Sequence, residues 1–157
     1  MLVLELKFNN QKQNPQNQDL KPLSSFSQSK YTCRSTVAFN PIVQSGIVRF
    51  GGFFEDPLSY IPNFTIGIAD SSAVFGSDEY PDEGENEKKT VCYWSGGEIS
   101  HIGYCIPGNS GIESNKYVSC EVNMNISPRT LTFFYDNQEQ GLSVRNIPSS
   151  IRFWICL

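Results

Sequence analysis

Alternation of apolar and polar residues with a period of two is the feature that most constrains the fold of this chain. In residues 117–124, Val118, Cys120, Val122 and Met124 occupy every second position. The same alternation occurs in residues 2–8 and 151–157. Because successive side chains of a β-strand point to opposite sides, this pattern predicts strands with one buried face.

Short segments of strand-forming residues follow one another along most of the chain. Alanine occurs only three times, while Val, Ile, Thr, Phe and Tyr are abundant, and no segment has the period of an amphipathic helix of three turns. Further strands are predicted at residues 36–39, 47–54, 64–69, 90–94, 98–104, 131–135 and 142–144. Many short strands separated by turn residues are typical of an all-β antiparallel sandwich or barrel.

The polar composition of one N-terminal segment divides the chain. Residues 9–18 are all Asn or Gln except for Lys12 and Pro15, and the segment up to about residue 30 stays rich in Ser and Pro. We therefore expect an N-terminal strand at 1–8, a polar loop or linker at 9–30 and a single β-domain at 31–157. The paired glycines Gly51-Gly52 predict a bulge or a close backbone approach.

Charge and hydropathy limit the classes of partner. The net charge is −4, from 12 Lys and Arg against 16 Asp and Glu, with no basic cluster for nucleic acid. No apolar run approaches the about 20 residues that span a bilayer, and the N-terminus lacks the pattern of a secretory signal. We expect a cytoplasmic protein, monomeric, with no membrane partner. Its five cysteines, none in a C-x-x-C motif, are expected to be free and mostly buried.

Catalytic residues are scarce. His101 is the only histidine, and nothing around it supplies a nucleophile motif or a second metal ligand at helical spacing. We interpret it as a histidine at the end of a strand. The sequence therefore predicts no enzyme, no metal site and no cofactor.

From about residue 31 onward, seven segments resemble the SPRY domain in order and spacing. They are residues 45–50, 65–69, 74–76, 94–99, 117–122, 129–137 and 147–157, of which 129–137 (Arg-Thr-Leu-Thr-Phe-Phe-Tyr-Asp-Asn) is similar to a family strand and turn. The chain departs from the family where Phe50-Gly51-Gly52 replaces a Trp-Glu pair, where Asn115-Lys116 replaces Gly-Asp, and at 123–125. These departures weaken any transfer of peptide specificity.

The resemblance implies a two-layer antiparallel β-sandwich of the concanavalin-like jelly-roll type. It also implies a recognition module without catalytic chemistry, whose loops at one end bind a peptide or loop of a partner protein. We expect those loops at residues 56–63, 70–80 and 136–140.

Three groups of residues are candidates for partner binding. Asp70, Ser71, Val74, Phe75 and Gly76 follow an apolar strand, and Asp70 and Ser71 would bond an extended peptide beside a Phe75 wall. Alternatively, Val74 and Phe75 plug the end of the sandwich and Asp70 caps a turn.

The second group, Leu58 and Tyr60, is the apolar part of a Pro-containing loop, and packing within the domain is the other interpretation. The third is the acidic segment 78–87 with Tyr80, which is either a docking loop for a basic partner or a solvated loop. Its spacing does not fit a calcium loop.

A carbohydrate-binding, lectin-like module is the alternative function. Such a site needs an exposed aromatic ring beside Asp or Asn side chains, and Tyr60, Asp70 and Tyr80 are the nearest candidates. The strand aromatics, such as Phe133, Phe153 and Trp154, are instead expected to pack inside the domain.

Overall fold

The computed structural model describes residues 2–9, 35–55, 64–77 and 79–156, apart from the side chains of 2–9 and 53–55. Eleven strands lie within these residues and form two sheets. The five-stranded sheet has the order β1 (Leu2–Asn9), β3 (Ile47–Glu55), β8 (Tyr117–Asn123), β9 (Thr130–Tyr135), β10 (Gln138–Arg145). The six-stranded sheet has the order β2 (Thr36–Ala38), β11 (Ile151–Cys156), β4 (Thr65–Asp70), β5 (Thr90–Tyr93), β6 (Glu98–His101), β7 (Tyr104–Pro107). One short 3-10 helix covers Gly84–Lys88.

The all-β architecture expected from the alternating pattern is confirmed, and so is the two-layer sandwich that the family resemblance implies. The strand pairs of the described residues are antiparallel except β1 with β3, which run parallel with Leu2 opposite Val48. A parallel pair needs a long connection, and residues 10–46 separate β1 from β3 in the sequence. The polar segment 10–30, residues 31–34 and the loop 56–63 with Leu58 and Tyr60 lie outside the described residues, as does Cys33.

The main core lies between the two sheets. Val118, Cys120 and Val122 of β8 face inward, as the alternation predicted. Phe50 of β3 stacks on Phe153 of β11, with ring centroids 5.0 Å apart, and so joins the two layers. Further inward-facing side chains are Ile66, Ile68, Val91, Tyr93, Ile99, Leu131, Phe133, Ile151 and Ile155.

Glycines allow close packing on the outer faces of the sheets. A Cβ at Gly67 of β4 would meet the Val91 carbonyl oxygen and would lie 2.7 Å from Cζ2 of Trp154. A Cβ at Gly51 of β3 would meet Ser119 of β8, while the pairing runs through Gly51 and Gly52 without a break. The prediction of a close backbone approach at Gly51 is thus confirmed, and no bulge interrupts that pairing.

Two strand predictions differ from the structure. Residues 98–104 were expected to form one strand, but a turn at Ile102-Gly103 separates β6 from β7. Both turn residues have positive φ, 52° and 75°, as a two-residue hairpin requires. Isoleucine is rarely found in that conformation, so only Gly103 of the two residues indicated a turn in the sequence. The strand expected at 142–144 extends over the whole of β10.

A second, smaller apolar cluster lies on the outer face of the six-stranded sheet. It consists of Ala69, Ala73, Cys92, Trp154 and Cys156. Burial, more than the nearby Asp82 charge, raises the pKa of the Cys92 thiol well above its usual value. The thiol therefore stays protonated and packs as a small apolar group. Trp154 is fully buried here, so another segment of the chain must cover this face.

Candidate functional site

The segment between β4 and β5 covers the outer face of the six-stranded sheet. We name residues 71–89 the cover loop; residue 78 is not among the described residues. Asp70 starts the loop: its Oδ1 accepts the N–H of Ser72 at 2.8 Å and its carbonyl accepts the N–H of Ala73 at 2.9 Å. The N–H of Ser71 donates to the Ser150 carbonyl at 2.9 Å. Asp70 thus caps a turn, and Ser71 joins the loop to the segment before β11.

The side chains of Val74 and Phe75 lie in different environments. Phe75 is half-buried, and its ring lies 6.0 Å from the Trp154 ring, so it covers the outer-face cluster instead of the end of the sandwich. Val74 is 78% exposed. Its carbonyl accepts a 2.7 Å hydrogen bond from Nδ2 of Asn86, a buried side chain. The hydrogen bond from Asn86 therefore fixes the backbone of Val74, while the Val74 side chain stays exposed.

Asn86 is a residue that sequence reasoning missed. Its own carbonyl accepts hydrogen bonds from the Thr90 hydroxyl and the Lys89 N–H, both at 2.9 Å. It thus connects Val74, the 3-10 helix and the start of β5. In the sequence, Asn86 differs from its neighbours only as an uncharged amide within the acidic segment. That segment could be interpreted as a solvated loop, so nothing indicated that Asn86 is buried.

Tyr80 and Trp94 anchor the second half of the cover loop. Their rings meet edge to face with centroids 5.9 Å apart, and Tyr80 is half-buried. Nε1 of Trp94 donates to the Ser100 hydroxyl at 2.7 Å, and Ser100 in turn hydrogen-bonds Asp82. Burial raises the pKa of Asp82, its backbone and Ser100 hydrogen bonds oppose that rise, and the charges of Glu83 and Glu87 add to it.

The two halves of the cover loop enclose an open cavity of about 580 Å³. Three glutamates line it, and Lys89, which pairs with Glu85 at 3.8 Å, is the only cation among the described residues that do so. The lining residues are Ser72, Val74, Glu79, Glu83, Gly84, Glu85, Asn86 and Lys89. The structure thus brings part of the 70–76 segment and part of the acidic segment together, which the sequence had treated as separate candidates.

Gly76 and the 136–140 turn do not line this cavity. A Cβ at Gly76 would come within 2.6 Å of the Glu79 carboxylate, so the exposed Gly76 lies beside a side chain that does line it. The 136–140 turn belongs to the five-stranded sheet: Gln140 accepts the Ser110 N–H at 2.8 Å, and Asp136 pairs with Lys116 at 2.8 Å. In the described residues these bonds connect the turn to segments other than the cover loop.

His101 ends β6, as predicted, with Nδ1 3.1 Å from the Thr90 carbonyl oxygen. Within residues 2–9, 35–55, 64–77 and 79–156, no three His, Cys, Asp or Glu side chains are grouped so that they could hold a metal ion. In the same part of the chain, no helix has the length and hydropathy needed to cross a membrane.

Comparison with known proteins identifies the fold. No protein-family model matches the chain, and no curated protein matches it. The SPRY domain of human HERC1 matches with a TM-score of 0.58 and 13% identity, covering 80% of this chain and 76% of that one. A human SPRY domain matches with a TM-score of 0.62 and 9% identity, covering 82% and 81%. The chain therefore has the SPRY fold, as its motifs indicated.

Proposed function

We propose that this chain is a non-catalytic protein-interaction module that binds a peptide or loop of a partner protein through the cover loop. The observation that carries the proposal is the exposed Val74 side chain on a backbone held by the buried Asn86, at the rim of the 580 Å³ cavity. An apolar group presented on a fixed backbone loses little entropy on binding, which favours recognition.

The chemistry of the cavity indicates the kind of partner. Glu79, Glu83 and Glu85 outnumber the single Lys89 along its wall. A segment that places an apolar side chain against Val74 and a Lys or Arg toward the glutamates would complement both features. The SPRY fold supports this function, because the family resemblance implies recognition by loops and no catalysis.

The carbohydrate-binding alternative receives less support from the same residues. A sugar platform needs an open aromatic face beside hydrogen-bonding side chains. The Tyr80 ring is half-buried and packs against Trp94, so we favour a protein partner.

The test compares two exposed β-branched residues. A partner is captured from native lysate, identified by mass spectrometry and purified. It is then titrated calorimetrically against the wild-type chain, Val74→Ser and Ile126→Ser; Ile126 is also exposed but lies between β8 and β9. We expect Val74→Ser to weaken binding about tenfold or more and Ile126→Ser to leave it unchanged. Equal affinity of Val74→Ser and wild type would refute the proposal.

A further inference from the structure

The outer edge of β7 is a second surface that the proposed function does not use. In the described part of the chain, β7 is the last strand of the six-stranded sheet, next to β6. Edge strands offer unpaired backbone groups to other chains, and proteins usually protect them with charged side chains or proline. β7 has the sequence Tyr-Cys-Ile-Pro, which contains no charge and places its single proline at the end.

Apolar side chains accompany this open edge. Tyr104 is 71% exposed and Ile106 is 53% exposed, and both lie on the same side of β7. Their partners across the hairpin are His101 and Ile99 of β6. A strand added beside β7 would cover part of this apolar surface, so the edge offers more than backbone bonds.

The hairpin register orients the backbone of Cys105 toward the edge. In a two-residue hairpin, the pair next to the turn exchanges both hydrogen bonds, and bonded and non-bonded pairs then alternate. His101–Tyr104 and Ile99–Ile106 are therefore the bonded pairs, while Cys105, opposite Ser100, directs its N–H and C=O outward. Pro107 is also at an outward position, where its missing N–H costs β6 nothing.

Two carboxylates face the Cys105 side of the hairpin. Asp82 and Glu87 line a cavity of about 210 Å³ together with Ser100, His101, Gly103, Tyr104 and Cys105. The Glu87 carboxylate reaches the backbone at the turn, since a Cβ at Gly103 would meet its Oε1. The ion pairs among the described residues are Arg49–Glu121, Lys89–Glu85 and Lys116–Asp136, so neither carboxylate has a cation partner there.

We propose that β7 accepts an extended partner segment as an added antiparallel strand, with a Lys or Arg opposite Cys105 and apolar residues on both sides of it. The residue opposite Cys105 would point toward Asp82 and Glu87, and its neighbours would point toward Tyr104 and Ile106. Backbone bonds supply the attachment, and the alternation of basic and apolar side chains supplies the selectivity.

A partner of this chemistry fits the edge better than a second copy of the chain. Pairing two β7 strands about a twofold axis would place two Asp82 and two Glu87 side chains around the same strands. Like charges brought together at an interface oppose association, and the chain already carries a net charge of −4.

The probe is a fluorescent synthetic peptide, Ser-Gly-Thr-Val-Lys-Val-Thr-Gly-Ser, with a matched peptide carrying Glu in place of Lys. Binding to the full 157-residue chain is measured by fluorescence anisotropy. We expect saturable binding of the Lys peptide and at least about tenfold weaker binding of the Glu peptide. Glu87→Lys changes an exposed side chain and leaves Asp82 to oppose the new charge, so it should remove most of the difference between the two peptides.

The backbone contribution is tested at Cys105. Cys105→Pro deletes an outward N–H without removing a β6–β7 bond, so it should abolish binding while circular dichroism stays like wild type. Cys105→Ser keeps the N–H and should bind normally. Ile126→Ser should also bind normally, because Ile126 lies between β8 and β9 of the five-stranded sheet.

Three results would overturn the proposal. The first is equal affinity for the Lys and Glu peptides. The second is undiminished binding to Cys105→Pro. The third is a wild-type dimer, detected by light scattering, that becomes monomeric in Cys105→Pro, because a second copy would then occupy the edge.

Discussion

Gly67 lies where β4 passes closest to the Trp154 indole, and no larger residue fits there. A Cβ would meet the Val91 carbonyl oxygen and the indole carbons together, and both are rigid. We expect Gly67→Ala to lower the free energy of unfolding by about 2–3 kcal/mol, as overpacked sites do. Urea denaturation measures this. Gly141→Ala, where a Cβ would meet nothing within 4 Å, is the matched control and should change stability little.

The raised pKa of Asp82, in the cover loop, makes the stability of the folded chain depend on pH. Burial raises its pKa above the ordinary value of 3.8, so the folded state holds this proton more tightly than the unfolded state. The contribution of Asp82 to the free energy of unfolding is therefore fully present below its ordinary pKa. It decreases as pH rises through the raised pKa of the folded state. Asp82→Asn cannot titrate. Denaturation at several pH values should show wild type losing stability relative to this variant from about pH 4 upward; a constant difference would contradict the assigned shift.

At the scale of elements, the β6–β7 hairpin contains the least favourable local conformation for its residue type. Ile102 has a φ of 52° and is half exposed, which gives a β-branched side chain strain without much compensating burial. Asparagine adopts this conformation readily in two-residue hairpins.

We therefore predict that Ile102→Asn raises the free energy of unfolding by about 1 kcal/mol. Thermal or urea denaturation checks it. Ile126→Asn is the control, since Ile126 is similarly exposed but has no positive φ, and it should produce no gain. A loss of stability in Ile102→Asn would show that the isoleucine side chain contributes packing that outweighs the strain.

For the whole molecule, the position of a phenylalanine relative to the two sheets decides its role. Phe133 and Phe153 are almost fully buried between the layers, whereas Phe75 is half-buried on the outer face. Phe133→Ala or Phe153→Ala should cost about 3–5 kcal/mol, and Phe75→Ala about 1 kcal/mol with weaker partner binding. Thermal melts of the three variants test this ranking, and the reverse order would invalidate the division into core and cover.

Local patterns in the sequence determined the layered architecture, because strand alternation and most turn residues act over a few positions. The inward face of β8, the Asp136-Asn137 turn with φ of 49° and 64°, and the buried strand aromatics were all predictable in this way. The β6–β7 turn was not, because Ile102 has no local preference for it.

Only the tertiary structure decided how distant segments combine. Phe75 covers Trp154, Asn86 supports Val74, and Asp82 and Glu87 lie beside Cys105. These contacts depend on where the cover loop crosses the six-stranded sheet. The loop is directed there by burial of the outer-face cluster, whose members come from three strands and one loop and carry no shared local pattern.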